Sequence, residues 1–132
     1  MDFPLESIHP KALKAHEASN CAKDQEKYWE MHDKIFEDTR AISPDDLVKN
    51  AEAVGLDAAA FKECLDGGKY TAEIRDDISQ GQKAGMRGTP SFFIGLTDPK
   101  DTTKIKATKF IRGAQAFSGF KPAIDELLSA KQ

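Results

Sequence analysis

Apolar residues recur along most of this chain at helical spacing, and then the spacing changes. Ala12, Leu13, Ala15, Ala18 and Ala22 form a small-residue face suited to close helix packing, and the helix carrying them is expected to start at Ser7 or His9 with Pro10 in its first turn. The register breaks around Lys23-Asp24. A second helix follows, in which Tyr28, Trp29, His32, Ile35 and Phe36 repeat as i, i+1, i+4, i+7 and i+8, the pattern of one buried face. The aromatic members of that set, Tyr28, Trp29, His32 and Phe36, are therefore read as helical core rather than as a ligand site. "SPDD" at Ser43–Asp46 opens a third helix: Ser43 caps, Pro44 fits the first helical position, and Asp45 and Asp46 favour the positive end of the helix dipole. Leu47, Val48, Ala51 and Val54 form its inner face, and Gly55 is a left-handed stop. Asp57 caps a short fourth helix through Phe61, Cys64 and Leu65 that Gly67-Gly68 ends. A fifth, about Lys69 to Ala84, carries Tyr70, Ile74 and Ile78 and closes at Gly85.

Beyond Gly85 the period falls from about four to two. Ser91-Phe92-Phe93-Ile94 reads as a buried strand, "GLTDPKDTT" as a polar connector, and Lys104 to Arg112 as a second strand, Ile105, Ala107, Lys109 and Ile111 alternating with Lys106, Thr108 and Phe110. Gly113-Ala114-Gln115 leads to a last amphipathic helix from about Phe117, with Phe120, Ile124, Leu127 and Leu128 inside. Asp2-Phe3-Pro4-Leu5 looks like the end of a further extended segment. Strand pieces framing a helical block describe an insertion into a small α/β unit.

Composition narrows the functional classes. With 132 residues, 39% hydrophobic and 31% charged, the chain is expected to form one domain of 1–132 with a real core. A net charge of −3 and an isoelectric point near 5.6 argue against nucleic acid as the main partner. No apolar run approaches the roughly 20 residues of a bilayer span, so no membrane partner is expected. "MDFPLESIHP" has neither a basic nor an apolar leader region, and no signal peptide is read there. The two cysteines, Cys21 and Cys64, are too far apart for C-x-x-C, and with three scattered histidines they give no metal spacing. "HEASN" at His16–Asn20 begins like a zinc-protease motif but ends in Asn. No metal and no cofactor are expected.

"GMRGTPSFFIG" at Gly85–Gly95 places a Thr-Pro step directly before a core strand, where proline is confined to strand starts and edges. Together with "DFPL…IHPKA", "CAKDQEKYWEMHDKIF", "GLD…F…CLD" and "FIRGAQAFSGFKPAID", it closely resembles DsbA-like thiol–disulfide oxidoreductases over nearly the whole chain and in the same order. The resemblance implies a thioredoxin-like α/β fold with an inserted all-helical subdomain of about five helices: 7–85 would be the insertion, and 1–6 with 86–132 the thioredoxin-like remnant. It implies that Pro90 is the cis-proline facing a redox disulfide, that the Thr89 backbone pairs with an extended substrate strand, and that Gly88 permits the close approach. The partner would be an extended peptide or unfolded protein, and the location the periplasm. A more distant likeness is to kappa-class glutathione transferases and isomerases, which share the inserted helices.

The departure from that family is as informative. Its C-x-x-C stands at the N-terminus of the first thioredoxin helix, where the helix dipole favours the attacking thiolate, ahead of the segment matching "DFPL". The present sequence has no such motif, so the truncated thioredoxin-like fold is expected to lack catalytic residues and to be redox-inactive as it stands. Either it is a piece of an oxidoreductase, or it is a non-catalytic peptide-binding or dimerisation module. Cys21 and Cys64 lie in the helical block and either staple it as a disulfide or are two buried thiols. Without the redox-motif strand, the "SFFIG" strand would present an open edge, a template for a homodimer or a strand-exchanged oligomer.

Overall fold

The computed structural model describes residues 1–129. Its elements are α1 (Ala12–Lys23), α2 (Tyr28–Glu37), α3 (Pro44–Ala53), α4 (Ala58–Asp66), α5 (Thr71–Lys83), β1 (Ser91–Asp98), β2 (Asp101–Arg112) and α6 (Phe117–Ser129). They fall into two compact units, Met1–Ala84 and Gly85–Gln132.

In the first unit, α1 to α4 pack around one apolar cluster that includes Ala18, Cys21 and Ala22 of α1, Met31 and Ile35 of α2, Leu47 and Ala51 of α3, and Phe61 and Leu65 of α4, and α5 lies against α1. Phe61, Met31 and Leu47 are fully enclosed, and burying each such side chain is worth about 1.5–3 kcal/mol. The helix ends follow the local chemistry. Ser43 and Asp46 form a reciprocal cap on α3, Asp46 N–H donating to Ser43 Oγ at 3.3 Å and Ser43 N–H to Asp46 Oδ2 at 3.2 Å. Asp57 Oδ1 accepts from Ala59 and Ala60 at the start of α4. At the far end of α3, Gly55 has φ +74°, and Lys27 Nζ donates to the carbonyls of Val54 and Gly55 at 2.7 and 3.0 Å.

Several expectations need correction here. α1 starts at Ala12, after Pro10 rather than around it, because residues 6–8 form a turn in which Ile8 and His9 N–H groups both donate to Leu5 O. Residues 2–5, expected as the end of an extended segment, form no ladder among the described residues, and residues 1–6 make their hydrogen bonds within the helical unit. Asp2 N–H donates to Asp77 Oδ2 at 2.6 Å, and Arg75 grips the Glu6 carboxylate through both terminal nitrogens.

In α2, the face that enters the core is Met31 and Ile35, whereas Trp29 and Phe36 are 67% and 66% exposed. At about 100° per residue, Met31 and Ile35 stand together, Tyr28 and His32 lie on their shoulder, and Phe36 and Trp29 fall roughly 100–120° around from Ile35. A stripe of five apolar and aromatic positions was wider than the contact it could make.

The second unit is a hairpin with a helix. β1 and β2 pair antiparallel from Ser91↔Arg112 to Asp98↔Asp101, so most of the expected polar connector is strand and only Pro99 and Lys100 turn. The register slips between Ile94↔Lys109 and Gly95↔Ala107, leaving Thr108 as a bulge. At this slip Gly95 is obligatory: a Cβ there would stand 2.1 Å from Lys106 O. α6 lies against β1, Phe120 meeting Phe92 edge-on at 4.9 Å, while Phe93 stacks on Phe110 across the hairpin at 4.7 Å. Leu128, expected inside, is 61% exposed.

Candidate functional site

The segment singled out by sequence is built at the junction of helix and strand. α5 ends at Lys83 with Ala84 as its C-cap, Gly85 takes φ +91°, and the chain reaches β1 through Gly88-Thr89-Pro90. The Thr89–Pro90 peptide is cis. Its flank is fixed by two bonds: Gly113 N–H donates to Pro90 O at 2.9 Å, and Ser91 Oγ donates to Gly88 O at 2.7 Å. Thr89 and Pro90 are exposed and Gly88 is half-buried. Among the described residues, no heavy atom beyond the two chain neighbours lies within 4 Å of where a Gly88 Cβ would stand, so no crowding among them demands glycine there. Directly after Pro90, β1 pairs with β2 along one side, and among the described residues the sheet has just these two strands. The other side of β1 therefore carries no backbone ladder.

The two cysteines form a disulfide joining α1 to α4, with Cα atoms 5.9 Å apart. Cys21 is buried and Cys64 half-buried. They are the chain's only cysteines, and neither is free. Beside them, Asp24 accepts from Lys69 Nζ at 2.8 Å and Tyr70 OH at 2.6 Å. The bond to Lys69, then that to Tyr70, holds the Asp24 carboxyl below its ordinary range. The same bond to Asp24, with burial second, pushes the Tyr70 phenol up to about 12.

A second concave feature was missed by the sequence reading. A groove of about 580 Å³ is lined by His9, Ala12, Ala15, His16, Ser19, Tyr28, His32, Ile35, Phe36, Thr39 and Ile42, which gathers all three histidines of the chain. His16 Nδ1 is 2.6 Å from Asp2 Oδ1, and His32 Nδ1 is 2.9 Å from Asp33 Oδ1. The hydrogen bond from His16 outweighs burial, and with Asn20 it holds the Asp2 carboxyl below the usual range, while burial raises the Tyr28 phenol. Tyr28, Trp29 and Phe36 pack around the His32 ring. The signal in the sequence was the aromatic stripe itself, too wide for one helix contact. Among the described residues no three His, Cys, Asp or Glu side chains cluster as a metal site would need.

A family model described as a DSBA-like thioredoxin domain matches residues 1–125. Among curated proteins, the chain is 35% identical over 92 residues to the Na(+)/H(+) antiporter NhaA 3 of Salinispora tropica, a match covering 70% of this chain and 14% of the antiporter. It is 32% identical over 94 residues to Na(+)/H(+) antiporter NhaA 1 of Mycobacterium sp. (strain KMS), covering 70% of this chain and 15% of that protein. It is also 34% identical over 103 residues to the uncharacterized protein YwbO of Bacillus subtilis, covering 74% of this chain and 52% of that one. The chain thus spans about a seventh of the antiporters it matches. No solved structure matches it.

Proposed function

The chain belongs to the DSBA-like thioredoxin domain family, and on that premise we propose that it holds an extended polypeptide along Gly88-Thr89-Pro90 and β1 without turning over disulfides itself. The observation that carries this reading is the unladdered side of β1, which begins at the residue after Pro90. An extended chain offers alternating N–H and C=O groups, and a strand edge is the surface that satisfies them. Exposed Thr89 and Phe92, at the mouth of that edge, supply contact area beyond the backbone.

Sulfur chemistry supports the absence of turnover. Exchange needs an accessible thiolate that attacks a disulfide and a partner thiol that resolves the mixed disulfide. The two sulfurs here are bonded to each other, and Cys21 is 1% exposed in the apolar cluster, where a thiolate is disfavoured. The bonded pair also fits an oxidising compartment, where such bridges persist, in keeping with action on extracytoplasmic proteins. Transport is named for the antiporter relatives, but no described helix of this chain is long and apolar enough to cross a membrane. The function proposed rests on the shared domain.

The test is fluorescence anisotropy of a labelled, unstructured peptide, with the same peptide N-methylated on alternate residues as control, alongside insulin reduction by dithiothreitol. Saturable binding that N-methylation abolishes, with no acceleration of insulin precipitation, is expected. Equal binding of both peptides, or turnover above background, overturns the reading.

Exposed apolar side chains in the same unit, Phe92, Ile105, Phe117 and Leu128, favour a second occupant of the edge, another copy of the chain. Sedimentation at tens of micromolar distinguishes the two: a single monomeric species removes self-pairing.

A further inference from the structure

We propose that the groove along α1 and α2 is a binding site for a small phenol, a planar aromatic molecule whose hydroxyl donates a hydrogen bond to the imidazole of His16 or His32. The volume, about 580 Å³, lies within the range of roughly 300–1,000 Å³ typical of small-molecule sites, which pair apolar walls with a few convergent polar groups. Ala12, Ala15, Ile35 and Ile42 supply the aliphatic wall, and Tyr28 and Phe36 the aromatic one. A planar ring packing edge-on or offset against those aromatics gains more than its area alone.

The polar groups define what the ligand must carry. Each of two imidazoles lining the groove has its Nδ1 committed to a carboxylate, Asp2 at 2.6 Å and Asp33 at 2.9 Å. An ionised carboxylate only accepts, so Nδ1 bears the hydrogen, and in the neutral ring Nε2 is left as an acceptor. The two imidazoles thus supply acceptors for a ligand donor, while His9 and the hydroxyls of Ser19, Tyr28 and Thr39 also line the groove and can donate as well as accept, a combination that a ligand hydroxyl matches by doing both. Among the described residues no lysine or arginine lines it, so they bring no fixed positive charge for a carboxylate or phosphate, and Asp2 and Asp33 behind the rings oppose an anion further. A neutral aromatic hydroxyl meets all of these conditions at once. The groove lies entirely within the helical unit, so this site stands whether or not β1 binds peptide.

The experiment uses four probes of one shape on the whole chain at pH 8: 4-methylphenol, 4-methylanisole, 4-methylbenzoate and 4-methylbenzylamine. Each is titrated against ¹⁵N-labelled protein while amide signals of α1 and α2 and the Trp29 indole signal are followed. Trp29 is the only tryptophan, and its ring lies 5.3 Å from that of His32. The phenol is expected to saturate at roughly millimolar concentration, with shifts confined to residues 9–42. Its methyl ether, which cannot donate, should bind roughly tenfold more weakly, the consequence of leaving an acceptor unpaired. His32→Phe, together with His16→Phe in a second protein, should reduce phenol binding by about tenfold in at least one of the two and leave the ether unchanged. Equal affinity for phenol and ether, tighter binding of the benzoate or the amine, or shifts spread over the whole chain would overturn the proposal. The ether comparison needs no variant, so it decides the matter even where a substitution unfolds the protein.

Discussion

Breaking the Cys21–Cys64 bridge is the perturbation whose size follows most directly from the structure. The bond ties α1 to α4 across 43 positions of sequence. Closing a loop of that length removes about 4 kcal/mol of unfolded-chain entropy, between the roughly 3 and 4.7 kcal/mol of 15- and 100-residue loops. The double variant Cys21→Ala/Cys64→Ala adds a small packing loss, since Cys21 is 1% exposed against Ala18, Ala22 and their neighbours. Removal of the bridge should therefore lower stability by about 4 kcal/mol or slightly more. A unit of this size has about 4–12 kcal/mol in total, so the loss is a third or more of what holds the helices together. Urea denaturation followed by circular dichroism at 222 nm reads mainly the helical unit, and at a slope near 1.5 kcal/mol/M the midpoint should fall by roughly 2–3 M. Reducing the native protein should reproduce the shift. A change below about 1 kcal/mol, or two reactive thiols per chain in the oxidised protein, would refute the reasoning.

Three further outcomes are expected. Asp2, held below its ordinary value of 3.8 chiefly by His16, contributes stability that is complete above pH 4 and is lost as pH falls through its lowered folded value; Asp2→Asn should flatten that acid limb of a thermal-melt series. Tyr70, raised to about 12 chiefly by its bond to Asp24, contributes in the opposite direction: its share is complete below pH 10 and disappears between 10 and about 12. Phenolate absorbance at 295 nm should follow that loss, and Tyr70→Phe should remove it. Gly95→Ala places a Cβ against Lys106 O and should disrupt the β1–β2 pairing, seen as lost amide protection from Ser91 to Arg112; protection equal to the parent's would contradict the assigned register.

What could be read from the sequence was whatever one residue's chemistry decides nearby. Ser43-Pro44-Asp45-Asp46 carries its own cap, Asp57 its own, and Gly55 its own stop, so α3 and α4 begin and end where their residues dictate. The turn chemistry of "GLTDPKDTT" misled because Asp, Thr and Gly also serve in a bulged hairpin, where pairing across the strands overrides local preference. Residues 1–5 have an extended-looking pattern, yet Asp2 finds Asp77, His16 and Asn20, partners that no local pattern reveals. The disulfide was left open for the same reason: two cysteines on separate helices name no distance. The groove was hidden by width, since Tyr28, Trp29, His32 and Phe36 look like core until the angle available to α2 is counted.

The proposed mode of binding is addition of an extended chain to the open side of β1 next to Pro90. Titration of unlabelled, unstructured peptide into the ¹⁵N-labelled chain tests this most directly, read at the amides of Gly88, Thr89 and Ser91 through Ile94. Saturable shifts concentrated at those amides are predicted; saturable binding that leaves all six unmoved would contradict it.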